Sequence, residues 1–310
     1  MKKKLMLLRM VFLISLSSAC RLAQSPPPVA LESTPRLAIL SAYQPELEAL
    51  RARMDVKDQR VINGRTYYLG NLAGHEAVLF STGVSMVNAA MTTQTALDYF
   101  DVRAMVFSGI AGGVNPELNI GDVVVPAQWG QYQEQVFARQ TSDGWDTGWY
   151  KQPYGNFGMM FPQPVSVTRE GGRADAEEEH FWFPVDRKML EAAGQIAPGV
   201  RLENCAQGGK CLEQEPKIIV GGNGVSGPTF VDNAEYRIWV WQTFHADALD
   251  METAAVAQVA YVNNVPFLAF RSLSDLAGGG PGQNEIGIFF QLAAENSAQV
   301  LEAFLEGWRQ

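Results

Sequence analysis

The runs "AMVFSGIAGG" (104–113) and "VPFLAFRSLSD" (265–275) constrain the fold of this chain more than any other feature. Each is apolar on successive residues rather than on alternate ones, so a strand built from it must be covered on both faces. Shorter apolar runs recur at "RLAILSA" (36–42), "GDVVVPAQ" (121–128), "KIIVGG" (217–222) and "DALDM" (247–251). Between them, helical spacing of apolar residues appears at 44–54, 85–100, 233–244, from 252 and from about 284. "RTYYLGNLAGHEAVLFST" (65–82) alternates about Ala73-Gly74 as a hairpin does. Covered strands alternating with helices imply an α/β fold.

Residues from about 129 to 216 break this rhythm with Gln, Gly, Trp and charge, as in "DGWDTGWY" and "AEEEHFWF". A stretch of that length without its own elements is uncommon, so it reads as an insertion with a functional or packing purpose. The chain has 310 residues, 47% of them hydrophobic, which suits one domain over 36–310 carrying that insertion.

The N-terminus is of another kind. "MKKKLMLLRMVFLISLSSAC" has a basic start, an apolar run too short to span a bilayer, and small residues Ser17 and Ala19 before Cys20. It reads as a signal peptide over 1–19, with "LSSAC" as a lipoprotein box and Cys20 as the lipidated residue. Leu16 stands one place further from Cys20 than the usual pattern has it. Residues 20–35 then form a lipid-anchored or flexible, proline-containing tether, and the protein is exported, periplasmic and membrane-anchored. Removing Lys2, Lys3, Lys4 and Arg9 takes the formal net charge from -9 to -13, which argues against a nucleic-acid partner. Of three cysteines, Cys205 and Cys211 remain, and in an oxidising compartment they read as a disulfide. A zinc site is the weaker alternative, because no histidine lies near them.

Four places can carry chemistry. Glu46 follows the first strand, where open α/β sheets tend to place ligands, although a solvated helix-start acid reads the same way. Gly109, Gly112 and Gly113 end a strand; they allow close approach of a ligand, or simply a tight turn. In "LDMETAAV", Asp250 and Glu252 open an apolar helix, again as helix-start acids or as a site. Arg271, Ser274 and Asp275 close the strongly apolar strand, as a tunable acid group or a buried ion pair. His75, His180 and His245 form no triad or metal spacing, and nothing calls for a cofactor or metal.

Taken together, "LAILSAYQPELEAL", "FSGIAGGVNPELNIGDVVVP" and "DMETAAVAQVAYVNNVPFLAFRSLSD" resemble three segments of the nucleoside phosphorylase/nucleosidase superfamily. Within it they look most like the 5′-methylthioadenosine/S-adenosylhomocysteine nucleosidases, over about 36–128 and 217–307. The resemblance implies a three-layer α/β/α fold, a central mixed twisted sheet flanked by helices, a small-molecule nucleoside substrate and a homodimer. It implies that Asp275 protonates the leaving purine, oriented by Ser274, and that Glu46 activates water, positioned by Arg271. Glu252 would grip the ribose hydroxyls, with Met251 against the sugar. Phe230 would stack on the base, Val231 would read its edge, and Ala111 and Gly112 would line it. "YQPE" departs from the family's acidic run, so Tyr43 narrows the 5′ side, and Ile110 stands where a small polar residue is usual.

Phosphorolysis requires cations around a dianion. Neither "SAYQPELE" nor "STGVSMVNAA" contains an arginine, which favours water as the nucleophile. The leading expectation is therefore a purine nucleosidase that hydrolyses N-glycosidic bonds. A phosphate-dependent phosphorylase is the first alternative. A storage-like nucleoside-binding protein with little turnover is the second, since "GPTFVDNAEYR" resembles the plant storage proteins of the superfamily.

Overall fold

The computed structural model describes residues 33–173, 176–280 and 282–308; the expected signal segment, Cys20 and the tether through residue 32 lie outside it. The first half of the chain provides strands β1 (Arg36–Ser41), β2 (Asp55–Ile62), β3 (Arg65–Leu72), β4 (His75–Ser81), β5 (Val102–Gly113), β6 (Val123–Val125) and β7 (Gln128–Gly130). Helix α1 (Gln44–Arg51) follows β1, and α2 (Met86–Tyr99) follows β4. Short ribbons come next: β8 (Gln135–Phe137), β9 (Arg139–Thr141), β10 (Gly144–Asp146), β11 (Met160–Pro162), β12 (Val165–Val167) and β13 (Glu178–His180). The chain then runs through β14 (Trp182–Pro184), α3 (Arg187–Ile196), β15 (Ile218–Val220), β16 (Asn223–Ser226), α4 (Ala234–Phe244) and β17 (Ala246–Asp250). It closes with α5 (Thr253–Val262), β18 (Phe267–Asp275) and α6 (Ile286–Gly307).

Twelve strands join in one mixed sheet, in the order β14-β7-β16-β17-β5-β1-β4-β3-β2, with β18 on β5 and β6, and β15 on β6. Helix α6 packs on β5 and β18 with α1 and α3 against it, while α2 and α5 pack on each other. β18 is buried at all nine positions and β1 at all six, as their unbroken apolar runs demand.

Two local expectations change. The glycines of "GIAGG" do not form a turn: β5 continues through them. It pairs in parallel with β1 and β18, then antiparallel at Gly112 and Gly113 with Leu249 and Ala248 of β17. That one strand therefore brings three strand ends to one place. The segment 129–216 is not without elements either. β7 and β14 extend the main sheet, and Cys205 and Cys211 form a disulfide. Three-residue strands are too short to display an alternation. The segment also packs: Tyr132, Tyr154, Phe157 and Phe181 meet Tyr236, Trp239 and Phe244 of α4 in an aromatic cluster, with Phe181 stacked on Phe244 at 5.2 Å. Trp239 Nε1 donates to the carbonyl of Gly155 at 3.2 Å. This cluster supports α4 and the loop that precedes it.

Candidate active site

Glu46 owes its position to the short link between β1 and α1. Its carboxylate turns back over the chain, Oε2 accepting from the backbone N–H of Ala42 (2.8 Å) and Tyr43 (2.9 Å), the reach-back of a helix N-terminus. Oε1 accepts from Ile110 N–H at 2.9 Å, so the acid is also tied to β5. Burial pushes its pKa up, against the pull of Arg271 and of these three amides.

Glu252 stands at the start of α5, where Oε1 accepts from Ser85 N–H at 2.6 Å. Burial first, and then the neighbouring Asp250, push its pKa from the ordinary 4.5 up to about 8. Asp250, at the end of β17, resolves as a structural hub. It accepts from the N–H groups of Glu252 (3.2 Å) and Thr253 (3.1 Å) and from the hydroxyls of Ser226 and Thr253. It also pairs with Arg271 Nε at 2.8 Å.

Arg271 is fully buried. Its Nε and Nη2 donate to Thr253 Oγ1 (2.9 and 2.7 Å), and its Cζ lies 4.0 Å from the Phe107 ring centroid. Among the described residues only its Nη1 finds no hydrogen-bond partner. That nitrogen crosses β5 at Gly109, where a Cβ would lie 1.9 Å from Nη1 and 2.6 Å from Glu46 Oε1. Gly109 is therefore required so that arginine and glutamate can meet over one backbone position. The alternative of a buried ion pair is realised between Arg271 and Asp250, and the guanidinium also presents its spare donor beside Glu46.

Asp275 ends β18 at the other side of the cavity. Oδ2 accepts from Ser274 Oγ at 2.9 Å; Oδ1 accepts from Ala277 N–H at 2.8 Å and from Asn284 Nδ2 at 3.3 Å. Burial raises its pKa most, Asp232 adds to the rise, and the hydrogen bonds oppose it. The acid proton then has a defined place. Oδ1 already faces two N–H donors, whereas the Ser274 hydroxyl can turn from Oδ2 to the Ala111 carbonyl at 3.3 Å, leaving Oδ2 to carry a proton.

The four acids and Ser274 line one cavity of about 380 Å³. Glu46, Asp250, Glu252 and Met251 form its inner end; Phe230, Val231, Ala111, Gly112, Ser274 and Asp275 form the other. Tyr43, Val84, Ile286 and Phe290 make an apolar mouth, with Tyr43 edge-on to Phe290 at 6.3 Å. Phe230 is 53% exposed, a ring without a cover. All of the expected cavity residues except Arg271 line the cavity; Arg271 lies behind it. Sequence reasoning passed over Ser226, Ser85, Asn284, Ile286 and Phe290, and also Thr253. For Thr253 a signal existed, since Asp250 three residues ahead of it has the spacing of a helix cap.

Residues 36–306 match the profile of the Phosphorylase superfamily. The chain belongs to that superfamily. Among its phosphorylase-superfamily relatives, the 5′-methylthioadenosine/S-adenosylhomocysteine nucleosidase of Tolumonas auensis is 29% identical over 273 residues, 87% of this chain and 99% of that one. The solved nucleosidase of the same name from S. pneumoniae, with a transition-state inhibitor, is 26% identical. It covers 88% of this chain and 99% of its own at a TM-score of 0.64. That of Colwellia psychrerythraea, in complex with adenine, is 25% identical over 89% of this chain and 96% of its own, also at 0.64. The mixed sheet flanked by helices is the superfamily's architecture, and the carboxylate-lined cavity is built on it.

Proposed function

We propose that this protein is a purine nucleosidase that hydrolyses the N-glycosidic bond of methylthioadenosine- or adenosylhomocysteine-like nucleosides. The observation that carries the reading is the composition of the cavity: four carboxylates line it, and among the described residues no Lys, Arg or His does. Such a lining offers a phosphate dianion no cation to hold it, and its acceptor oxygens stabilise the positive sugar that forms as the bond breaks. The named relatives support the same reading, since they are nucleosidases.

The roles follow from the geometry. Asp275, whose protonated form burial favours, delivers the Oδ2 proton to the purine ring nitrogen, so that the base leaves neutral. Glu46 takes a proton from water, and its raised pKa makes it the stronger base when ionised. Arg271 Nη1, the spare donor beside it, holds that water. Glu252 accepts from the ribose hydroxyls while Met251 packs on the sugar, and Phe230 stacks on the base. Release of free purine from 5′-methylthioadenosine by the purified protein, followed by chromatography, tests the reading. A folded protein that releases no base from methylthioadenosine, adenosylhomocysteine or adenosine would overturn it.

The same proposal includes export and assembly. The signal-like start and Cys20 support a lipid-anchored periplasmic enzyme; the mass of the mature N-terminus, with or without acyl chains, decides it. Val87 and Met91 are exposed four residues apart on one face of α2, and exposed Val84 precedes that helix at the cavity mouth, which supports a homodimer. Light scattering on the purified protein gives the mass that tests it.

A further inference from the structure

The segment between β18 and α6 brings Asn284 against the base end of the cavity. Its amide is held in one orientation, because Oδ1 accepts from Ile286 N–H at 3.0 Å. Both hydrogens of Nδ2 then face carboxylates, Asp275 Oδ1 at 3.3 Å and Asp232 Oδ1 at 3.0 Å. In a purine whose N7 faces Asp275, the substituent on C6 projects from that same edge, toward Asn284.

Counting donors and acceptors decides what that edge can read. Asp275 Oδ1 has two lone pairs, and Ala277 N–H and Asn284 Nδ2 occupy them. No acceptor capacity is left on it for the amino group of a 6-aminopurine unless Asn284 withdraws. A 6-oxo group is itself an acceptor and matches the Asn284 donor. The hydrogen it needs can be taken from Asp232, which is exposed and can be hydrated in exchange. The N1 position is equally open. Among the described residues, neither the N–H nor the C=O of Val231 takes part in a hydrogen bond within the chain. The N–H suits the bare N1 of a 6-aminopurine, and the C=O suits the N1–H of a 6-oxopurine.

We propose that Asn284 determines specificity at C6 and that the site takes 6-oxopurine as well as 6-aminopurine nucleosides. This rests on the nucleosidase reading above and names its substrate class.

The test uses a matched pair that differs only at C6, 5′-methylthioadenosine and 5′-methylthioinosine, on the full-length protein and on Asn284→Ala. The wild-type kcat/KM values should differ by less than about a hundredfold, well short of the ~10⁴-fold with which a site built for one polar group rejects its mismatch. Asn284→Ala should shift the ratio toward the 6-aminopurine by roughly tenfold, because it removes the donor to O6 and frees a lone pair on Asp275. An unchanged ratio, whatever the absolute rates, assigns Asn284 a structural role and overturns the inference. So does a wild type that cleaves methylthioadenosine but not methylthioinosine, and that result leaves the nucleosidase reading standing. A folded protein that cleaves neither overturns both.

Discussion

The two ends of the cavity are held in different ways. At the sugar end, Glu46, Asp250 and Glu252 come from the ends of regular elements and Arg271 from the middle of β18, and each acid is fixed by backbone amides or a buried guanidinium. At the base end Asp275, Ser274, Ala111 and Gly112 belong to strands, whereas Phe230, Val231 and Asn284, which face the base edge and ring, lie on connections. A rigid charged end and a loop-built end suit a reaction in which the sugar carries the developing charge while the base varies. The contrast teaches that chemistry is set by the sheet and selectivity by the connections, which is the usual division of labour in such folds.

The comparison can be broken most forcefully at Asp275. Asp275→Asn keeps the shape but removes the acid, so turnover of methylthioadenosine should fall about 10³-fold with thermal stability little changed. Wild-type turnover in that variant would remove the base end from the chemistry. At the opposite end, Arg271→Met strands Asp250 as a buried unpaired charge. It should lower stability by about 3–5 kcal/mol in denaturant unfolding. A loss close to that of Ser274→Ala, about 1 kcal/mol, would erase the asymmetry in how the ends are held.

Glu252 sharpens it through pH. Its pKa is raised on folding, so between 4.5 and about 8 the folded protein keeps a proton that the unfolded chain has lost. Its contribution to stability therefore falls as pH rises through that window, with a slope of up to about 1.4 kcal/mol per pH unit. Glu252→Gln should flatten the fall of the melting temperature between pH 5 and 8; an unaltered slope would contradict the assignment. The smallest effect belongs to Phe230. Phe230→Ala should raise KM roughly tenfold through lost stacking and leave kcat near its wild-type value. A loss confined to kcat would place the ring in the chemistry instead.

How much of this could be seen in the sequence follows the same division. Glu46, Glu252 and Asp275 stood out because each follows an apolar run, and a covered strand leaves its end as the one place for a polar group. β2, "DVKDQRVI", hid because it is an edge strand exposed at seven of eight positions, with no apolar face to reveal it. Gly109 looked like turn chemistry when its purpose is clearance for a side chain from β18, a contact across 162 residues that no local pattern encodes. Asn284 and Ser85 were invisible for a related reason. Their partners, Asp275, Asp232 and Glu252, reach them only through the fold.

The central claim is that a carboxylate-lined cavity, with no cation in its lining among the described residues and Arg271 behind it, delivers water to the sugar. Incubating the protein with methylthioadenosine in phosphate-free buffer and again with added phosphate, and identifying the sugar product by mass spectrometry, tests it directly. Equal rates of adenine release and free methylthioribose in both buffers are predicted. Release that depends on phosphate, with a sugar 1-phosphate as product, would contradict it.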